Sequence, residues 1–218
     1  MSQIVHGITT TQTQPHDKLI EYVERYQRAA RGRPVSAHTQ AAFDESLNWL
    51  DDWQGDIIFD SCCGVGESTA AIAKQFPDAK VIGIDKSAAR LAKHAHYGTS
   101  QDNYRVLRAD VNDFWFLAHQ HGMRLSHHFL LYPNPYPKPS QVQKRWHAGP
   151  AMPDFVRLGG KIQVRSNWQI LVQEFQIALS VYGIQAMVTE VEATEPMTPF
   201  ERKYQAAGQQ CWQLNSVD

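Results

Sequence analysis

The chain has 218 residues, 43% of them hydrophobic and 20% charged, which suits a packed core and excludes a disordered chain. Lys plus Arg number 21 against 22 Asp plus Glu, a net charge of −1 that excludes a polybasic nucleic-acid binder but permits a local basic patch. The longest apolar runs, such as Phe129-Leu130-Leu131, are too short to span a bilayer, Met1-Ser2-Gln3 opens no signal peptide, and the three cysteines fit neither a disulfide framework nor a paired zinc spacing. The expectation is a soluble, cytoplasmic protein with no membrane partner. Residues 1–52 read as an N-terminal arm and helices, and 53–218 as the main domain.

Residues 1–16 are rich in Thr and Gln and read as an irregular arm. From Asp17 the residues Leu19, Ile20, Val23 and Tyr26 recur at helical spacing, and Gly32 and Pro34 stop that helix. Ser36 caps a second helix with Phe43, Leu47 and Leu50 on one face. Strands are expected at 56–60, 80–85, 104–109, 127–132, 161–165 and 185–190, with a last edge strand at Cys211–Leu214. Helices lie between them, including Ser87 to His96 and Trp168 to Val181. That alternation predicts an α/β fold: a Rossmann-like, doubly wound, mostly parallel seven-stranded sheet.

Such sheets bind ligands at the carboxyl ends of their strands. The first strand runs into Asp60-Ser61-Cys62-Cys63-Gly64-Val65-Gly66, where two glycines let backbone approach a ligand. Thr69 stands where a dinucleotide fingerprint has its third glycine, which disfavours a pyrophosphate cradle. Asp60 suits a cationic cofactor. Asp85 ends the second strand 19 residues after Gly66, the distance of a ribose-binding carboxylate. Asp110, with Val111 beside it, ends the third and can accept from an adenine amine. One acid after each of three strands is the layout of class I S-adenosyl-L-methionine-dependent methyltransferases. The bland reading of each acid alone is a helix cap.

The fourth strand enters Leu131-Tyr132-Pro133-Asn134-Pro135-Tyr136-Pro137-Lys138. This resembles the bacterial tRNA (guanine-N7-)-methyltransferase family (TrmB-like), whose signature is F-P-D-P-W-x-K before a basic run. Lys144-Arg145 fall where that run ends. The resemblance continues at Gly159-Gly160, at Ser166-Asn167 (family Thr-Asp), and at Thr198-Pro199-Phe200-Glu201 with Lys203 and Gly208 (family T-x-F-E), covering residues 55 to 214. It implies transfer of a methyl group from S-adenosyl-L-methionine to a guanine N7 in tRNA. Asp60, Cys62, Gly64, Gly66, Asp85, Asp110 and Val111 would hold the cofactor. Tyr136, Lys138, Lys144, Arg145, Asn167, Thr198, Phe200 and Glu201 would meet the substrate. Asn134, Lys138 and Asn167 would line the transfer site, with Tyr136 stacking on a base and Lys138 neutralising a phosphate.

The departures are Asn134 and Asn167 where the family has Asp, and Pro139-Ser-Gln-Val-Gln143 in place of its His-rich spacer. Asn supplies a dipole without charge. The alternatives are a paralogue acting on another RNA, a nucleobase amine or a small molecule, and a non-catalytic RNA-binding relative. The expected partner is tRNA, with a small-molecule substrate as the alternative, and the expected state is a monomer or homodimer.

Arg25, Arg28, Arg31 and Arg33 are either an RNA-facing strip or a solvated face. The paired histidines (His94/His96, His119/His121, His127/His128) read as packed or surface residues without metal. Cys62 and Cys63 read as small-residue packing, and Trp115 and Trp168 as core or rim.

Overall fold

The structure, a computed structural model, describes residues 7–29, 31–192 and 195–217. Two helices, α1 (Leu19–Arg28) and α2 (Ala37–Leu50), precede the sheet. Strands and helices then alternate: β1 (Ile57–Ser61), α3 (Glu67–Gln75), β2 (Lys80–Asp85), α4 (Ala88–Leu91), β3 (Tyr104–Arg108), α5 (Val111–Gln120) and β4 (His127–Leu131). There follow α6 (Met152–Leu158), β5 (Lys161–Ser166), α7 (Gln169–Val181), β6 (Ala186–Glu190), α8 (Pro199–Ala206) and β7 (Trp212–Ser216). The seven strands are ordered β3-β2-β1-β4-β5-β7-β6. β1 pairs in parallel with β2 and β4, and β2 with β3, while β7 is antiparallel to both β5 and β6. No helix among the described residues is long and apolar enough to cross a membrane.

The chain groups into two compact units. One comprises Gly32–Leu131 and Arg157–Lys161; the other comprises Met1–Arg31, Tyr132–Val156 and Ile162–Asp218. In the first, Ile58, Phe59, Val81, Ile82 and Leu130 are completely buried. Each such side chain contributes about 1.5–3 kcal/mol, which is why short continuous apolar runs form central strands. In the second, Val164, Leu214, Phe155 and Phe175 are buried. Trp115 and Trp168 are buried too, as expected for core residues.

Two expectations are corrected. The stretch Ser87–His96 is not one helix: α4 ends at Leu91, and a separate 3-10 turn covers His94–His96. The break lets His94 Nδ1 donate to the Val65 carbonyl at 2.9 Å, tying this segment to the glycine loop. The last strand is not at the edge but lies between β5 and β6, and β6 is the edge. Exposure follows that placement, since Leu214 on β7 is 0% exposed and Met187 on β6 is 58% exposed.

Thr69, in place of the third glycine, is accommodated by a glycine across from it. A Cβ at Gly83 on β2 would lie 2.3 Å from Thr69 Oγ1. Gly83→Ala is therefore expected to destabilise the fold by about 1–3 kcal/mol through overpacking. Urea unfolding measures this, and Gly83→Ala/Thr69→Ala, which removes the clashing hydroxyl, should recover part of the loss.

Candidate active site

In the first unit, the loop after β1 turns sharply because Cys62, Gly64 and Gly66 have φ of 65°, 63° and 77°. A β-carbon is costly in that region, so Gly suits it and Cys62 is strained. Gly64 N–H donates to Asp85 Oδ2 at 3.0 Å, and Cys63 N–H to the Ile84 carbonyl at 3.1 Å. A Cβ on Gly64 would meet nothing within 4 Å, so the turn presents bare backbone to open space. A Cβ on Gly66 would instead strike His94 Nδ1 at 2.5 Å.

The three acids have distinct settings. Asp60 is 0% exposed; its Oδ2 accepts from Ser68 and Thr69 hydroxyls at 2.6 and 2.7 Å, and its Oδ1 has no partner. Burial pushes its carboxyl up to about 6, the two hydroxyls oppose that, and the Asp85 charge adds a little more. Asp85 accepts from Ser87 N–H, Gly64 N–H and Arg90 Nη1 at 2.8, 3.0 and 3.1 Å. A carboxylate offers about four lone-pair sites, so one remains for a further donor. Asp110 is the N-cap of α5, and Oδ1 takes Asn112 N–H, Asn112 Nδ2, Asp113 N–H and Arg33 Nη2. The bland helix-cap reading thus holds for Asp110, while all four of these bonds leave Oδ2 for an added donor. Val111 begins α5 and is 4% exposed. Burial raises the thiols of Cys62 and Cys63, which argues for packing over redox chemistry. An orphaned buried carboxylate oxygen, an open glycine turn and two acceptors at neighbouring strand ends fit a cationic ligand rich in hydroxyl and amine donors.

The second unit carries the Pro-rich loop. Tyr132 and Tyr136 have φ of 50° and 45°, and such left-handed residues cost of order 1–3 kcal/mol each. Strain kept in one short loop points to a functional segment. Asn134 is exposed, and its Oδ1 accepts from Tyr136 N–H at 3.3 Å. Lys138 and Lys144 are exposed, the first preceding and the second ending a 3-10 turn over Pro139–Lys144. Asn167 Nδ2 donates to Gln209 Oε1 at 3.1 Å.

Thr198 caps α8 by accepting from Glu201 N–H at 3.0 Å. Glu201 is 0% exposed; Oε1 accepts from Arg165 Nη1 at 2.9 Å and Oε2 has no partner. Arg165 Nε is likewise buried and unpartnered, and the Tyr132 hydroxyl is buried beside the Cys211 thiol. Burial raises the Tyr132 hydroxyl, and Cys211 and Glu201 reinforce that shift. Phe200 is 46% exposed and stacks on Tyr204 at 6.4 Å, which in turn meets the Tyr132 ring at 5.7 Å.

Arg145 is the clear correction among the substrate candidates. It is 1% exposed, and its guanidinium is spent on Glu174, Gln12 and two loop carbonyls, so it is not a surface cation for RNA. The Arg25–Arg33 strip is also divided. Arg25 donates to Gln143, whereas Arg33 bonds to Asp110 and Asp113. Nothing in the sequence singled out Arg165, Gln12 or His147. Glu174 had a signal, as the sole charge in the thirteen residues of α7.

A Rossmann-like sheet with an acid and a left-handed glycine turn at its strand ends defines the class I methyltransferase fold. A solved antibiotic-related methyltransferase shares that fold over 86% of this chain and 96% of its own, with a TM-score of 0.57 and 12% identity. So does a 16S rRNA (adenine(1408)-N(1))-methyltransferase from Catenulisporales acidiphilia solved with cosubstrate SAM, covering 84% of this chain and 96% of its own at a TM-score of 0.55 and 13% identity. A family model described as "Putative methyltransferase" (Methyltransf_4) matches residues 54–214. The chain belongs to this methyltransferase family, as a divergent TrmB-like member. A tRNA (guanine-N(7)-)-methyltransferase from Nocardioides sp. is 26% identical across 89% of each chain. A trans-aconitate 2-methyltransferase from Deinococcus radiodurans is 56% identical over 57 residues, 26% of this chain, and the match spans only 21% of that relative's length.

Proposed function

We propose that the chain methylates a guanine N7 in tRNA with S-adenosyl-L-methionine as methyl donor. The observation that carries the cofactor half is the ordered set Asp60, Asp85 and Asp110 around an open glycine turn. Likeness along most of the chain to the Nocardioides tRNA enzyme supports the acceptor. The cofactor supplies an activated methyl group on a sulfonium. Asp85 would accept from ribose hydroxyls, Asp110 Oδ2 from the adenine amine, and Asp60 would place negative charge near the cationic end. Cys62, Gly64, Gly66 and Val111 would line that end with backbone and small side chains.

Guanine N7 is a lone-pair nucleophile, so no base need remove a proton. Catalysis then rests on alignment. Tyr136 and Phe200 would stack on exposed bases, Lys138 and Lys144 would meet phosphate, and Thr198 would hold Glu201 at the guanine edge. Asn134 and Asn167 would orient the acceptor through their amides. A second reading, a different acceptor, is favoured by one feature. Where the family has acids, Asn134 and Asn167 are neutral, and Glu201 is ion-paired to Arg165.

The two readings give opposite signs for one variant. If N7 becomes cationic, Asn134→Asp should raise turnover on tRNA by about tenfold, with cofactor affinity nearly unchanged. A fall in turnover favours the different acceptor. The direct test offers labelled S-adenosyl-L-methionine together with total tRNA, rRNA and a small-molecule extract. Label in 7-methylguanosine of tRNA is expected; label only in a small molecule or protein rejects the tRNA reading.

A further inference from the structure

Three consecutive carbonyls of the Pro-rich loop are each held by a donor from elsewhere in the same compact unit. Arg145 Nε donates to Tyr136 O at 3.1 Å, Thr10 Oγ1 to Pro137 O at 2.5 Å, and Arg145 Nη2 to Lys138 O at 3.3 Å. Arg145 is itself fixed. Its Nη1 meets Glu174 Oε2 at 2.5 Å, its Nη2 meets Gln12 Oε1 at 2.8 Å, and its Cζ lies 4.9 Å from the Trp168 ring centre. Glu174 also accepts from Gln12 Nε2, the His16 N–H and His147 Nε2 at 2.7, 2.9 and 2.9 Å. Gln12 is only 9% exposed within an otherwise open arm.

The arm is therefore not a loose tail over residues 10–16. It joins a buried ion pair that grips the backbone at Tyr136, whose left-handed φ of 45° needs surrounding structure to persist. We infer that Thr10, Gln12 and Arg145 are positioning residues that hold Tyr136 and Lys138 at the acceptor, which makes the N-terminal arm part of the transfer machinery. This rests on the reading that the 134–138 loop meets the acceptor.

The test uses the full chain and two clamp variants. Thr10→Val removes one hydroxyl at constant shape. Arg145→Lys keeps the charge opposite Glu174 but loses the planar fork. Transfer to tRNA is measured per S-adenosyl-L-methionine-binding site, counted by calorimetry, so that unfolded protein is not scored. The expected kcat falls are about threefold for Thr10→Val and about tenfold for Arg145→Lys, with cofactor affinity within about twofold. Amide hydrogen exchange of the loop should quicken in Thr10→Val while exchange in β1 and β2 stays unchanged. Tyr136→Ala and Lys138→Ala are the loop variants. If they lose rate while both clamp variants keep theirs, the clamp is overturned and the loop assignment stands. If all four keep their rate, the loop assignment falls and the clamp with it. Should Arg145→Lys fail to fold, Thr10→Val decides by the same two readouts.

Discussion

Glu174→Ala is expected to destabilise the protein by about 3–5 kcal/mol, because it strands a buried guanidinium without its counter-charge. Arg145 and Glu174 are both 0% exposed in their side chains and pair at 2.5 Å. The carboxylate gathers four donors, from Arg145, His147, Gln12 and the His16 backbone. Burial by itself raises a carboxyl, but the hydrogen bond and charge of His147, and after them those of Arg145, outweigh it and bring Glu174 down to about 2. Burial lowers His147 while the neighbouring Glu174 carboxylate opposes that shift, and Nε2 donates to the carboxylate at 2.9 Å.

The sign of the pH dependence follows. The folded Glu174 value lies below its ordinary value of 4.5, so its stabilisation is fully present above that pH. It is lost as pH falls from there toward 2. Thermal melts from pH 6 down to 2 should show a loss in the wild type that Glu174→Gln does not share. Replacing both partners at once, with Arg145→Met and Glu174→Leu, should restore much of the stability while leaving transfer impaired. An equal loss in single and double variants would mean the pair is not what the arm leans on.

The second large effect centres on Asp60 and has the opposite sign. Its folded carboxyl sits at about 6 against an ordinary 3.8, chiefly because it is fully buried. The folded state therefore holds that proton more tightly than the unfolded chain. The ligand-free protein should lose stability as pH rises from 3.8 through about 6, by about 3 kcal/mol for a shift of this order. Binding of a cationic cofactor runs the other way, since only the ionised carboxylate attracts it. Affinity should weaken as pH drops below 6. Asp60→Asn should remove both dependences: a ligand-free protein about 1–2 kcal/mol more stable at pH 7.5, and affinity about tenfold weaker there. Urea unfolding and calorimetry at pH 5 and pH 7.5 check the two limbs.

The central strands and the three acids were legible because each rests on local pattern. Val81-Ile82 and Phe129-Leu130 are continuous apolar runs, and the acids stand at strand ends: Asp60 next to last in β1, Asp85 last in β2, Asp110 two residues past β3. The break in Ser87–His96 was not legible, because His94 bonds across to Val65, 29 residues away. Nor was the place of β7, since pairing order depends on which of two similar strands is better buried. Among the proposed acceptor residues, Lys138 and Glu201 stood out by resemblance, yet Arg145 looked like any other basic residue beside Lys144. Only its burial against Glu174 separates a clamp from a phosphate contact. The lone charge on α7 was the sequence trace of that clamp, and nothing in the arm's Thr and Gln residues marked Gln12 as its partner.

The central claim, that the acid-lined strand ends hold S-adenosyl-L-methionine, is tested most directly by titrating the cofactor into the protein in a calorimeter. Saturable one-to-one binding is expected, with affinity about 100-fold weaker in Asp85→Ala, the size of losing hydrogen bonds to a charged group. Absence of heat at high protein concentration, or equal affinity in Asp85→Ala, would contradict the account.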